Sequence, residues 1–388
     1  WPTRRGFDRF YGEHSYVDSY FYPTNQLYLD EEPIEPEGDN WYSTDAYTDY
    51  AIRFINNAQG RKPYFLYLAY NAPHFPLQAF REDMEKYGEI YKQGWDVIRR
   101  QRYDRQKTRG IIEPDWRLPP RNPGAEGWHE PVPAWQDEKE KNLWEMKMAA
   151  YAAQIDRMDQ NIGRLLETLR ARNELENTLI IFLSDNGGCA EDWINERNPD
   201  GVRPGARKCR LAYGLPWAQV SNTPFRLFKR WVHEGGIATP GIVHWPDGLE
   251  YRGISHEMSH VIDVMPTLLE IAGLEYPEFF HGNTITPPEG KSLVPIFRTG
   301  SRTGHQTMGW EHEGNRAFRK GHWKLVWRGR FREGPWELYN LADDRTEMNN
   351  LANEYPEKVN ELKAGYNAWA ERVGVTEWDT LTDNNQEG

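Results

Sequence analysis

Three short stretches carry residue types suited to holding an anion and a hard cation. Asp185 and Asn186 offer a carboxylate and an amide oxygen side by side, the ligands that Ca²⁺ or Mg²⁺ prefers. Gly187 and Gly188 follow and let the backbone turn closely. An Asp-Asn-Gly triplet equally suits a plain turn. His74, in Asn71-Ala-Pro-His-Phe-Pro76, has the chemistry of a general acid or base, and equally that of a hydrogen-bonded structural histidine. The third stretch runs from Ser221 to Pro240 and holds Arg226, Lys229, Arg230 and His233 ahead of Glu234-Gly-Gly236. Cationic donors of this kind bind an anionic group and stabilise charge that develops on it. His233 is left without a role.

The elements that position these residues follow from periodicity. Tyr64-Phe-Leu-Tyr-Leu-Ala-Tyr70, Thr178-Leu-Ile-Ile-Phe-Leu183 and Gly241-Ile-Val-His-Trp245 read as short buried strands. Between the first two, Met148, Ile155, Met158, Ile162, Leu165 and Leu169 recur at spacings of three, four and seven, the period of an amphipathic helix. Strand, helix, strand predicts an α/β domain over residues 1–299, a mostly parallel sheet flanked by helices. His74 and Asp185-Asn186 each follow a strand end, where ligands gather in such sheets. A proline-studded surface excursion is expected over Gly110 to Lys141. From residue 300 the pattern changes. Arg316–Trp327 reads as two strands turning at Lys320-Gly321, Trp336–Leu341 as a further strand, and Pro356 opens a helix with Val359, Leu362, Tyr366 and Trp369. Residues 300–388 are therefore expected to form a small antiparallel α+β subdomain, with Asp383 to Gly388 a disordered tail.

Composition narrows the classes. Lys+Arg number 47 against Asp+Glu 59, a net charge of −12, which argues against a nucleic-acid binder. The one basic stretch, Arg99 to Arg109, reads as a solvated helical face. No apolar run is long enough to span a bilayer, so no membrane partner is expected. Cys189 and Cys209 are the only cysteines, and a pair and two free thiols are both open.

Six segments in order carry a family resemblance: Arg5-Gly-Phe-Asp-Arg-Phe-Tyr-Gly12, Ala72-Pro-His74, Ser184-Asp-Asn-Gly187, Pro224-Phe-Arg226 through Lys229 to Glu234-Gly-Gly-Ile237, His260-Val-Ile-Asp263 with Pro266-Thr-Leu-Leu-Glu270, and Trp336-Glu-Leu-Tyr-Asn-Leu341. Together they resemble the type I sulfatases of the alkaline phosphatase superfamily, bacterial arylsulfatases above all. The resemblance implies that Asp185 and Asn186 ligate Ca²⁺ (Mg²⁺ second) and that His74 and Lys229 contact the sulfate and its bridging oxygen. His260 and Asp263 are read as helix capping and packing.

The family's nucleophile is a formylglycine made from a C/S-x-P/A-x-R motif by a maturation enzyme. Neither Cys189-Ala-Glu-Asp192 nor Cys209-Arg-Leu-Ala212 has that arginine. The family places the motif ahead of the Arg5-Gly-Phe-Asp8 stretch, so the chain is expected to be an inactive, N-terminally truncated form with no nucleophile of its own. The expected activity of the whole enzyme is hydrolysis of a small-molecule or carbohydrate sulfate ester. Phosphonate or phosphate ester hydrolysis, and non-catalytic binding of a sulfated carbohydrate, are the alternatives. Arg226, with Glu313 and Asn315 in Trp310–Arg316, is a candidate substrate contact; a plain surface hairpin is the other reading of that segment. Periplasmic, secreted and cytoplasmic locations all stay open.

Overall fold

Residues 1–14, 19–38, 40–58, 62–121, 131–329 and 335–383 are described by the structure, a computed structural model. Part of the excursion over 110–141, and all of the tail beyond residue 383, lie outside the described residues. The chain divides into two units. One comprises Trp1–Arg105, Pro120–Leu175 and Gly187–Lys229; the other comprises Gln106–Pro119, Glu176–Asn186 and Arg230–Gly388.

In the first unit β1 (Tyr11–Glu13), β2 (Leu27–Leu29) and β3 (Glu32–Ile34) form an antiparallel meander. Its helices are α1 (Ser43–Asn57), α2 (Arg81–Glu85), most of α3 (Gly94–Thr108), α4 (Lys141–Ala171) and α5 (Gly214–Ser221). The expected amphipathic helix is α4, and it buries Met148, Met158 and Leu169. Ile155 departs from the expectation and is 39% exposed. Ala149, Ala150, Ala152 and Ala153 take the inner face instead, because small side chains let neighbouring segments approach closely. On the outer turn Arg157 pairs with Asp45 at 2.5 Å, and Asn161 donates to the same carboxylate at 2.7 Å, tying α4 to α1. Tyr20, Phe21, Tyr42, Ala72 and Met158 form the core beside them. A second aromatic group joins Trp95 to Trp135, Trp144 and Trp217. Gly94, at φ +79°, is required there, since a Cβ would lie 2.1 Å from the Trp135 ring.

The run Tyr64–Tyr70 is not a strand. It carries no ladder among the described residues, and Phe65 and Tyr67 are 62% and 73% exposed. An apolar run becomes a buried strand only where neighbours accept its backbone hydrogen bonds, and periodicity alone does not supply them. The basic face of α3 is mostly solvated, as read; Arg100 pairs with Asp104 one turn on. Burial pushes the Arg99 guanidinium down to about 10.

In the second unit β4 (Ile180–Leu183) pairs with β5 (Gly241–His244), placing Ile180 opposite His244. That pairing is antiparallel, where the crossover pattern predicted a parallel one. Among the described residues the parallel contact is a single bridge, Gln78 to Gly205 in the first unit. The remaining elements are α6 (Glu234–Ile237), α7 (Val264–Ala272), the β6 (Phe279–Phe280) and β7 (Asn283–Thr284) ribbon, α8 (Val294–Thr299), β8 (Thr307–His312), β9 (Asn315–Lys320), β10 (Trp323–Trp327), β11 (Glu337–Asn340), α9 (Pro356–Val373) and α10 (Trp378–Asp383). The sheet β11-β10-β9-β8 is antiparallel throughout, with the β9–β10 turn at Gly321 as expected. On it lies α9, whose Leu362 and Tyr366 pack on Phe318, Leu325 and Leu338. Gly365 makes the approach possible, since a Cβ would come within 2.5 Å of the Phe318 ring.

The boundary near residue 300 does not coincide with the division of the units. Ion pairs explain the difference. Lys324, fully buried on β10, lies 2.6 Å from Glu234 and 2.9 Å from Glu347, and Arg345 also pairs with Glu234. His233 meets Glu337 at 2.9 Å. Residues 230–237 are therefore part of the C-terminal sheet's core. Burial raises the Glu234 pKa, but Arg345 and Lys324 outweigh it and hold the carboxyl far below its usual range.

The capping role read for His260 and Asp263 is present. His260 Nδ1 accepts from the Ile262 N–H, and Asp263 accepts from the His260 N–H. Asp263 is fully buried and also receives Arg302 at 2.6 Å, His305 at 2.7 Å and the Lys291 N–H at 2.8 Å. Burial alone would raise its pKa; those donors lower it below the ordinary value.

Two outcomes follow from these buried charges. Lys324→Met should lose about 3–5 kcal/mol in urea melts, because Glu234 and Glu347 stay buried with half their compensation removed. Asp263→Asn should be less stable than wild type at pH 7. The depressed folded-state pKa means that Asp263's contribution is full above the unfolded value of about 3.9 and is lost as pH falls below it. The stability gap between the two proteins should therefore narrow below about pH 4.

Candidate functional site

In the first unit the structure brings together two of the residues singled out by sequence. The loop 71–76 is pinned from within: the buried Tyr20 hydroxyl lies 2.9 Å from the Asn71 carbonyl and 2.7 Å from that of His74. Gln78 holds Tyr20 in turn, accepting its N–H at 2.8 Å and donating to the Cys209 carbonyl at 3.0 Å. The His74 ring has Nδ1 at 2.9 Å from the Phe75 carbonyl. A carbonyl only accepts, so Nδ1 carries the proton and Nε2 presents a lone pair. Lys229 Nζ sits 3.2 Å from Nε2 and donates to it.

Lys229 ends a turn that follows α5. Asn222 braces this turn from both sides, accepting the Gly188 N–H at 2.7 Å and donating to the Leu227 carbonyl at 2.9 Å. The Lys229 N–H then donates to the Gly188 carbonyl at 3.0 Å. Leu227 adopts φ +63°, an unfavourable conformation for a branched side chain, and its burial keeps it there. At Gly188 a Cβ would lie 2.3 Å from the Tyr213 hydroxyl, so only glycine fits. Arg226 is half-buried on the same turn.

Asp185 and Asn186 close the β4 end of the second unit. Ser184 Oγ donates to the Asn186 carbonyl at 3.0 Å, and Asp185 accepts the Asn186 N–H at 3.0 Å. Thr239 donates to the Ser184 carbonyl at 2.9 Å, anchoring the turn to the segment before β5. The Asp185 residue is exposed. Its carboxylate and the Asn186 amide suit a hard cation, which takes six to eight oxygens in all. No cluster of three His, Cys, Asp or Glu side chains able to hold a metal exists among the described residues.

The hairpin residues have other engagements. Glu313, at φ +50°, lies 3.7 Å from Arg230. Asn315 is fully buried and its amide donates to the Arg230 carbonyl at 3.1 Å, a bracing position. His233, unassigned from sequence, is wholly buried beside Glu337. Cys189 and Cys209 are not joined in a disulfide, and burial pushes the Cys209 thiol up. Sequence reasoning missed Tyr20, Gln78 and Asn222. Each acts on backbone groups that are remote along the chain, and no spacing or periodicity marks such a role.

Asn222→Ala should cost about 1–3 kcal/mol in chemical denaturation, the range for leaving a buried polar partner unsatisfied. Tyr20→Phe, which removes one hydroxyl shared between two carbonyls, should cost about 0.5–1.5 kcal/mol.

A family model described as Sulfatase matches residues 2–274, and one described as N-sulphoglucosamine sulphohydrolase, C-terminal, matches residues 225–369. An uncharacterised sulfatase of Schizosaccharomyces pombe is 35% identical over 356 residues, which is 87% of this chain and 63% of the relative. An arylsulfatase of Klebsiella aerogenes is 34% identical over 268 residues, 66% of this chain and 56% of the relative. The chain thus spans less than two thirds of either relative's length. In fold it is similar to the crystal structure of Ps i-CgsB, with a TM-score of 0.63 at 23% identity, covering 95% of this chain and 68% of that one. It is also similar to BT4656 solved with its substrate D-glucosamine-2-N,6-O-disulfate, with a TM-score of 0.61 at 22% identity, covering 96% and 78%.

Proposed function

Because this chain belongs to the sulfatase family and has that family's α/β fold with a C-terminal antiparallel sheet, we propose that the protein hydrolyses a sulfate ester. The observation that carries the reading is the 3.2 Å contact between Lys229 Nζ and His74 Nε2. A cation and an acid–base group this close together could both serve one anionic ligand, which supports the reading.

In this mechanism the Lys229 ammonium binds a sulfate oxygen and stabilises charge that builds on it. His74 Nε2 takes up a proton from solvent, making the ring an imidazolium, and passes it to the departing alkoxide or phenoxide, which returns the ring to its neutral form. Nδ1 stays bonded to the Phe75 carbonyl and keeps the ring's orientation fixed. Asp185 and Asn186 would contribute oxygens to a Ca²⁺ ion, which supplies positive charge when bound. For the nucleophile the proposal follows the family: a formylglycine installed by a maturation enzyme. Cys189 and Cys209 are not offered for that role, since neither stands in the motif that is converted. The substrate class is a small-molecule or carbohydrate sulfate. It rests on likeness to proteins such as an N-acetylglucosamine-6-O-sulfatase of Bacteroides thetaiotaomicron, 26% identical.

The test uses the protein with its formylglycine installed, assayed on 4-nitrophenyl sulfate and the matching phosphate. Sulfate turnover should dominate and should fall on removal of Ca²⁺ by chelation. Lys229→Ala should lower kcat/KM by about a hundredfold or more, the scale of losing a charge-stabilising donor. His74→Ala should cost progressively more as the leaving-group pKa rises, since an activated phenoxide needs little protonation. Lys229→Ala within twofold of wild type, or preference for the phosphate, would sink the reading.

A further inference from the structure

One aromatic side chain near His74 has no part in the chemistry above. Trp193 opens the short 3₁₀ turn Trp193–Arg197 and is 42% exposed, while its neighbour Ile194 is buried. The turn is fixed. Ile194 packs on Phe75 and Ala212, the Asn195 side chain accepts the Ala212 N–H at 2.9 Å, and that of Asn198 accepts the Arg210 N–H at 2.8 Å. The indole itself is held on three sides. Its Nε1–H donates to Glu191 at 3.1 Å, Arg197 lies 5.0 Å over its centroid, and Phe75 meets it at right angles with centroids 5.9 Å apart. The Phe75 ring is 4.2 Å from that of His74. Trp193 is therefore two ring contacts from the proposed acid, rigidly mounted and still open to solvent.

Resting on the sulfatase reading, we propose that Trp193 is the platform on which the pyranose ring of a carbohydrate sulfate stacks beside His74. A pyranose has an apolar C–H face that matches an indole, with hydroxyls around its rim. Arg197 covers one face of Trp193, and the opposite face receives the sugar. Glu191, hydrogen-bonded to Nε1 at the indole's edge, brings an acceptor to the ring's margin, where hydroxyls lie. A phenyl leaving group would stack on the indole but would make no use of that acceptor. A rigid tryptophan loses little entropy on binding, which makes it an effective anchor. This assignment selects carbohydrate over aryl sulfates and makes Trp193 a specificity residue with no role in bond breaking.

The test again uses the formylglycine-bearing protein, with 4-nitrophenyl sulfate and a panel of sulfated mono- and oligosaccharides, D-glucosamine-2-N,6-O-disulfate and a carrageenan hexasaccharide among them. The ratio of kcat/KM for the best sugar sulfate to that for 4-nitrophenyl sulfate should fall about tenfold or more in Trp193→Ala, chiefly through KM. In Trp193→Phe, which keeps a flat apolar face, it should fall about threefold or less. Trp193→Leu retains bulk against Phe75 and should behave like the alanine variant, so a folding defect in the latter leaves the test intact. An unchanged ratio in both truncations, or turnover of the aryl sulfate with none of any sugar sulfate, overturns the platform. No turnover of any sulfate would instead strike at the sulfatase reading, so the two failures are told apart.

Discussion

Holding Lys229 3.2 Å from a ring nitrogen 155 residues earlier in the chain is the constraint on which the first unit depends. A lysine ammonium is strongly hydrated and mobile on four methylenes, so proximity must be imposed by the backbone at both ends. At one end Tyr20 and Gln78 fix the His74 loop from beneath; at the other, Asn222 and Gly188 fix the turn that carries Lys229. The tyrosine and the two amides direct most of these hydrogen bonds to main-chain groups. Such bonds are directional and buried, and they set position more sharply than apolar packing does.

That division of labour explains what was legible in the sequence. The candidate residues stood out because their types are uncommon together: His after Ala-Pro, Asp-Asn-Gly-Gly after an apolar run, Lys and Arg ahead of Glu-Gly-Gly. The C-terminal elements were visible because their periods are local. The turn at Lys320-Gly321, the strand Glu337–Asn340 and the helix from Pro356 all stand where alternation and capping put them. The capping box of His260 and Asp263 was readable for the same reason.

What failed was non-local. Tyr64–Tyr70 has a strand's composition, yet pairing depends on a neighbour that composition does not specify. Ile155 fits the helical period but yields the inner face to four alanines, a choice made by the segments packed there. A boundary at residue 300 followed a change in texture. The buried charges of Glu234, Lys324, Arg345 and Glu347 cross that point and join sequence-distant segments into one core.

Those four charges also set how the second unit responds to heat. Taking an ion out of water costs less as temperature rises, because hydration of charge is entropically unfavourable, whereas apolar burial gains little more per unit area. A core that places two carboxylates against an ammonium and a guanidinium is thus relatively better supported in warm water than in cold. Lys324 makes the case sharply, since it is wholly buried and has an acid on either side. The same side chains that erase the expected boundary tilt this unit's stability toward the upper end of its working range.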